Sequence, residues 1–237
     1  MNLNHCRSIA GPLLLPLLLV ASTAGAQFVD QEQPVMDYTS VGDFVLGGFY
    51  NQELAQVFTA GRTGLLAGAE FGLECVNVAE ATAGTVTLDV RTVEGGVPGS
   101  TLLTAATFDA AGFPGYWPND YPPYFRRLEL SAPVPVTAGI QYALTLRFTS
   151  ANGTSCGVAA GPEGDPYPGG DGSYRENGPW GWVPLGPRVD LPFRTLMEEE
   201  SRTSIFHKDQ QWICVDRSAL PAHLGHGDTR WAPGCGR

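Results

Sequence analysis

The chain has 237 residues and a formal net charge of −10, with 14 Lys and Arg against 24 Asp and Glu. A surface this acidic repels phosphate backbones, which excludes nucleic acid as an expected partner. Gly (30) and Pro (19) are abundant while 43% of residues are apolar, a mixture that suits many turns between short strands of a folded domain better than disorder.

The first 26 residues read as a secretory signal peptide. Arg7 supplies a positive start, residues 13–20 an apolar core interrupted by Pro16, and Ala24-Gly25-Ala26 the small residues that a signal peptidase reads. The apolar run is too short for a bilayer span, which takes about 20 residues, so no membrane span is expected. A lipoprotein leader would carry its cysteine at the cleavage site, whereas Cys6 precedes the apolar run. Cleavage after Ala26 removes Arg7 and leaves a chain one unit more acidic, in a secreted or otherwise extracytoplasmic setting. Four cysteines then remain, Cys75, Cys156, Cys214 and Cys235. Two disulfides are expected in an oxidising compartment. Three pairings are open; Cys75–Cys156 and Cys214–Cys235 are favoured because each pair lies within one segment.

From residue 54 onward apolar residues recur with period two. Phe71, Leu73 and Cys75 alternate with Glu70, Gly72 and Glu74. Val86, Leu88 and Val90 alternate with Thr87, Asp89 and Arg91, and Tyr142, Leu144, Leu146 and Phe148 with Ala143, Thr145 and Arg147. Each reads as a strand with one core face and one wet face, so the fold expected over residues 27–197 is all-β, an antiparallel sandwich. Gly-rich punctuation at 61–64, 94–99 and 137–139 separates the strands. Pro133 and Pro135 mark residues 128–136 as an edge strand or bend, and residues 191–196 read as the closing strand. No helical stripe of ten residues precedes residue 197.

Two long loops interrupt the pattern, where binding surfaces concentrate. Residues 109–124 carry Tyr116, Trp117, Tyr121 and Tyr124; residues 161–188 carry Trp180 and Trp182. These aromatics are the candidate ligand-binding residues, flat platforms for sugar rings; the competing reading has them sealing the ends of the sandwich. Asp165 and Asp171 lie in a Gly-rich loop that offers calcium donors without the EF-hand spacing, and a solvated turn is the simpler expectation.

Several segments together resemble a family. LAQVFTAG at 54–61, VTLDVR at 86–91 with GGVPGS at 95–100, AGIQYAL at 138–144 and DLPFRT at 190–195 are similar to bacterial secreted jelly-roll domains of choice-of-anchor surface proteins. The resemblance covers residues 44–197. It implies a jelly-roll-like sandwich, an exterior location and adhesion to carbohydrate or another cell-surface component, and it assigns no catalytic residue. The tail, residues 198–237, resembles a short C-terminal module through ALPAHLGHGD at 219–228 and the final Cys235. That module begins with Cys-His, whereas Phe206-His207 stands here, leaving Cys214 as the partner for Cys235.

The same tail, expected to be small and irregular, holds every histidine after the leader: His207, His223 and His226, beside Asp228. Neutral imidazoles with a carboxylate suit zinc or another borderline ion. His223 and His226 stand three apart, so one helical turn would place both rings on one face. The bland alternative is a short helix capped by Ser218, with Pro221 in its first turn and Gly225 or Gly227 ending it. Neither Gly-x-Ser-x-Gly nor a phosphate-binding Gly-x-x-x-x-Gly-Lys occurs, and Glu163, Asp171 and Glu176 are ordinary loop acids that only their spacing in space would raise to a glycosidase pair. The expectation is therefore a non-catalytic binding or adhesion module. A metal-binding protein using the tail is the first alternative and a secreted hydrolase the second.

Overall fold

A computed structural model describes residues 27–37, 43–76, 84–115, 125–150, 155–164, 166–177, 181–186, 189–198, 202–208, 211–216 and 219–229. Residues 1–26, read above as a leader, and Cys235 lie outside them. Fifteen strands are present among the described residues: β1 Gln27–Gln33, β2 Asp43–Gly47, β3 Glu53–Thr59, β4 Gly64–Val76, β5 Thr85–Glu94, β6 Val97–Asp109, β7 Pro114–Gly115, β8 Phe125–Val136, β9 Gln141–Thr149, β10 Ser155–Ala159, β11 Gly172–Arg175, β12 Val183–Pro184, β13 Phe193–Glu198, β14 Arg202–His207 and β15 Gln211–Asp216. One short helix, α1 (Leu220–Gly225), follows them.

Two large sheets build the all-β body. One runs β1-β13-β4-β10-β2, with β8 and β7 also paired to β4; the other runs β12-β11-β3-β9-β5-β6. Pairing is antiparallel except for the two-residue contact of β7 with β4. The alternating residues read from the sequence supply the core: Phe71, Leu73, Val86, Leu88, Val90, Leu144 and Leu146 have no solvent contact, together with Phe58, Leu128 and Phe193. Each such side chain contributes about 1.5–3 kcal/mol of transfer free energy. Cys75 and Cys156 face each other as register partners of β4 and β10 and form the expected disulfide.

The expected wet faces of β5 and β9 are buried in part, with Arg147 left exposed. Thr87, Asp89, Ala143 and Thr145 are all nearly inaccessible. The reason is their place in the sheet: both strands are interior, most of these side chains are small, and long neighbours lie over them. Arg91 reaches Asp89 at 3.1 Å and Arg147 approaches it at 3.9 Å. On β3, Val57 is covered by the segment that follows Tyr167. Val57 N–H donates to the Asp171 carbonyl, and Gly170 (φ +155°) sits so close that a Cβ there would meet Val57 at 2.6 Å.

Two other elements depart from the sequence reading: β1 and β2 precede the first strand expected. The expected closing strand is β13, which lies between β1 and β4. Pro133 and Pro135 do lie in an edge strand: β8 pairs with β4 alone, and its register shifts between Leu66 and Gly68. The tail is more regular than expected, since β14 and β15 form a separate two-stranded sheet.

Candidate metal centre in the C-terminal module

The module is a hairpin followed by one helical turn and a reversal. In the hairpin His207 opposes Gln211, Phe206 opposes Trp212 and Ile205 opposes Ile213. Phe206 and Trp212 pack with ring centroids 5.0 Å apart, the kind of cross-strand aromatic pair that stabilises a two-stranded sheet. Ile205 is fully buried. The chain leaves β14 through Lys208 in a left-handed conformation (φ +50°), unusual for a residue with a side chain.

Helix α1 carries Pro221 in its first turn, as expected, but its N-cap is Ala219 with no side-chain cap bond; Ser218 lies outside the described residues. Its end is a tight reversal. His226 N–H bonds to the His223 carbonyl, Gly227 N–H to the Leu224 carbonyl and Asp228 N–H again to the His223 carbonyl. Gly227 adopts φ +88°, a region glycine enters without steric cost. This turn folds Asp228 back against His223. Immediately afterwards Thr229 exchanges two backbone hydrogen bonds with Phe206, at 2.9 and 3.3 Å. That bridge lays Asp228 beside His207, twenty-one residues earlier in the chain.

Three candidate side chains converge as a result. Asp228 Oδ2 lies 2.9 Å from His207 Nδ1 and 2.9 Å from His223 Nδ1. Its Oδ1 accepts the Lys208 N–H at 3.0 Å. The two imidazole rings stand edge-to-face, centroids 5.7 Å apart. The Asp228 side chain has no solvent exposure, whereas the His207 and His223 side chains remain 28% and 25% exposed. The His207 hydrogen bond, followed by the Lys208 N–H and the His223 bond, holds the Asp228 carboxyl well below the usual carboxylate range against the opposing effect of burial. An ionised carboxylate only accepts, so both imidazoles donate through Nδ1. One nitrogen from each ring and a carboxylate oxygen all lie within 4.8 Å of one another, and among the described residues this is the one His/Cys/Asp/Glu group so arranged. Two nitrogens and one oxygen are a zinc-type donor set that leaves a fourth position open.

Of the four tail residues read as metal candidates, three meet. His226 is exposed and stands outside the group, because the helix ends at Gly225 and His226 is its C-cap. Cys214 is disulfide-bonded and so offers no thiolate.

Most of the aromatic platform, Tyr116, Trp117, Tyr121, Tyr124 and Trp180, lies outside the described residues, as does Asp165 of the calcium loop. Asp171 is exposed and its carbonyl is engaged by Val57. Glu163 bridges to Val189, and Glu176 directly follows β11. Trp182 is half-buried with the Arg175 guanidinium 4.9 Å from its ring centroid, and Arg175 is itself held by Glu53 at 2.8 and 3.1 Å. Among the described residues, two aromatics absent from the sequence reading are the most exposed: Phe49 at 88% and Tyr50 at 60%. They pack edge-to-face at 5.2 Å on the turn between β2 and β3. The Gly47-Gly48 pair before them was the available signal. No protein-family model matches the chain, and no curated protein matches it in sequence.

Proposed function

We propose that this chain is a non-catalytic binding protein that works outside the cytoplasm, in which a disulfide-braced β-sandwich carries a C-terminal module holding a zinc-type divalent ion at His207, His223 and Asp228. The observation that carries the metal assignment is the meeting of two imidazoles on one buried carboxylate oxygen, contributed by three separate pieces of backbone. An exterior location is supported by the leader-like first 26 residues and by cysteines paired as disulfides, a state typical of oxidising compartments. The test is elemental analysis of the purified full chain after equilibration with zinc chloride and removal of free metal. One bound zinc per chain is expected, with loss of the metal in His207→Ala and His223→Ala and retention in His226→Ala. A wild-type chain that retains no zinc overturns the assignment.

A second reading, adhesion to carbohydrate or another cell-surface component, draws on the Phe49–Tyr50 corner, since large aromatic faces held in solvent are characteristic of contact surfaces. Binding on a glycan array that disappears in the Phe49→Ala, Tyr50→Ala double variant supports it; binding unchanged in that variant removes the corner from the reading.

A further inference from the structure

The way the two imidazoles meet Asp228 carries one step beyond metal binding, and it rests on that reading. We propose that the centre is a two-state clasp, hydrogen-bonded in one state and bridged in the other by a divalent ion through Nδ1 of His207, Nδ1 of His223 and Oδ2 of Asp228, with the module folded in both states.

The choice of nitrogen follows from the ring edge that faces the carboxylate. Both Nδ1 edges face the same oxygen at 2.9 Å, while the ring centroids are already 5.7 Å apart. An ion that takes the place of the two hydrogens between these atoms binds Nδ1 of each ring and leaves Nε2 to carry the ring hydrogen. On the Nδ1 side the fit is close. Ligand atoms on a tetrahedral zinc stand about 3.3 Å apart, so entry of the ion opens each Nδ1–Oδ2 contact by only about 0.4 Å. The exchange balances simply. A ring whose one hydrogen is on Nδ1 gives it to water and takes one at Nε2, the metal–nitrogen bond replaces the N–H bond, and nothing is oxidised or reduced.

Persistence of the fold without the ion follows from contacts that use none of the three donor atoms. The Lys208 N–H holds Oδ1, the 226–228 reversal is closed by backbone bonds, and Phe206 and Thr229 pair through backbone as well. The Phe206–Trp212 pair and buried Ile205 hold the hairpin independently of the three donors. This differs from a zinc finger, in which the ion supplies the folding free energy. The ion here is an exchangeable occupant, and three protein donors leave it one position for water or an outside donor.

The experiment uses the full ¹⁵N-labelled chain, stripped with EDTA and then titrated with zinc chloride. Long-range ¹H–¹⁵N spectra identify the state of each imidazole nitrogen, and amide exchange follows residues 202–207 and 211–216. The expected result is Nδ1–H in both rings without metal, a shift to metal-bound Nδ1 and Nε2–H at one equivalent of zinc, and hairpin protection in both forms. His223→Ala should lose the shift and His226→Ala should keep it. Metal appearing at Nε2, or hairpin protection lost in the stripped protein, overturns the clasp while leaving metal binding standing. Absence of any zinc uptake by the wild-type chain overturns both.

Discussion

A carboxylate without solvent contact needs donors on every side, and Asp228 collects them from the end of β14, the hairpin turn and helix α1. The pH dependence follows from the depressed pKa of that group. Its contribution to stability is present above the ordinary carboxylate pKa of about 3.9 and is lost as pH falls through the lower folded-state value, because only the unfolded chain then gains from binding the proton early. Acid titration of hairpin amide protection should therefore show a loss below about pH 4 that Asp228→Asn largely removes, with a weaker module at neutral pH as the cost of the variant. Lys208 tests the turn. A left-handed residue with a side chain carries about 1–2 kcal/mol of strain, so Lys208→Gly should leave the melting temperature unchanged or raised, while Lys208→Val should lower it. Tyr167 shows the opposite linkage. Its hydroxyl donates to Gln31 Oε1 at 3.0 Å and accepts the Thr59 N–H at 3.2 Å, and burial pushes its pKa up. Its contribution is complete below the ordinary tyrosine pKa of about 10 and falls as pH rises through the folded value, so Tyr167→Phe should flatten the alkaline limb of stability and cost about 1 kcal/mol at neutral pH.

At the scale of elements, the strands differ in how plainly they announce themselves. β5 and β9 alternate strictly, because large apolar residues must point inward on every second position, and their core faces were legible residue by residue. Their outer faces were not: Thr87, Asp89 and Thr145 look wet in sequence and are buried, since neither the interior position of a strand nor the reach of Arg91 and Arg147 is written in local alternation. β1, with the burial pattern of a partly covered strand, carries no such rhythm, and it becomes a strand through pairing with β13. The hairpin of β14 and β15 was missed for the related reason that a two-stranded sheet has no extensive core face to impose period two. The Cys75–Cys156 link joins β4 to β10 across 81 residues. Closing a loop of that length stabilises a fold by about 4 kcal/mol in the chain-entropy account. The Cys75→Ala, Cys156→Ala double variant should lose an amount of that order in urea unfolding; an unchanged midpoint would show that the core alone holds the two strands.

In the whole molecule, the two large sheets form the core-bearing part and the candidate histidines lie in the separate C-terminal module. The buried network at Asp190 illustrates how loops are pinned to those sheets: Gln56 donates to Asp190 Oδ1 at 2.8 Å, Tyr167 N–H to Asp190 Oδ2 at 3.0 Å, and Gln56 accepts from Leu191 N–H at 2.8 Å. Asp190→Ala leaves the Tyr167 amide without its acceptor in the interior, while Gln56 Nε2 keeps the Val57 and Gly170 carbonyls, and should destabilise the sandwich by about 1–3 kcal/mol in chemical denaturation without changing zinc uptake by the module. What the amino-acid sequence determined unaided was the all-β class, the core faces of the long strands, the Cys75–Cys156 pairing preference and the gathering of histidines in the tail, because side-chain period, cysteine parity and composition are local properties of a chain. What only the tertiary structure decided was which of those histidines meet. The bridge of Thr229 to Phe206 and the reversal at Gly227 bring Asp228 to His207 and His223 and leave His226 outside, and contacts between residues twenty-one apart depend on where backbone hydrogen bonds close, which spacing in a sequence does not record.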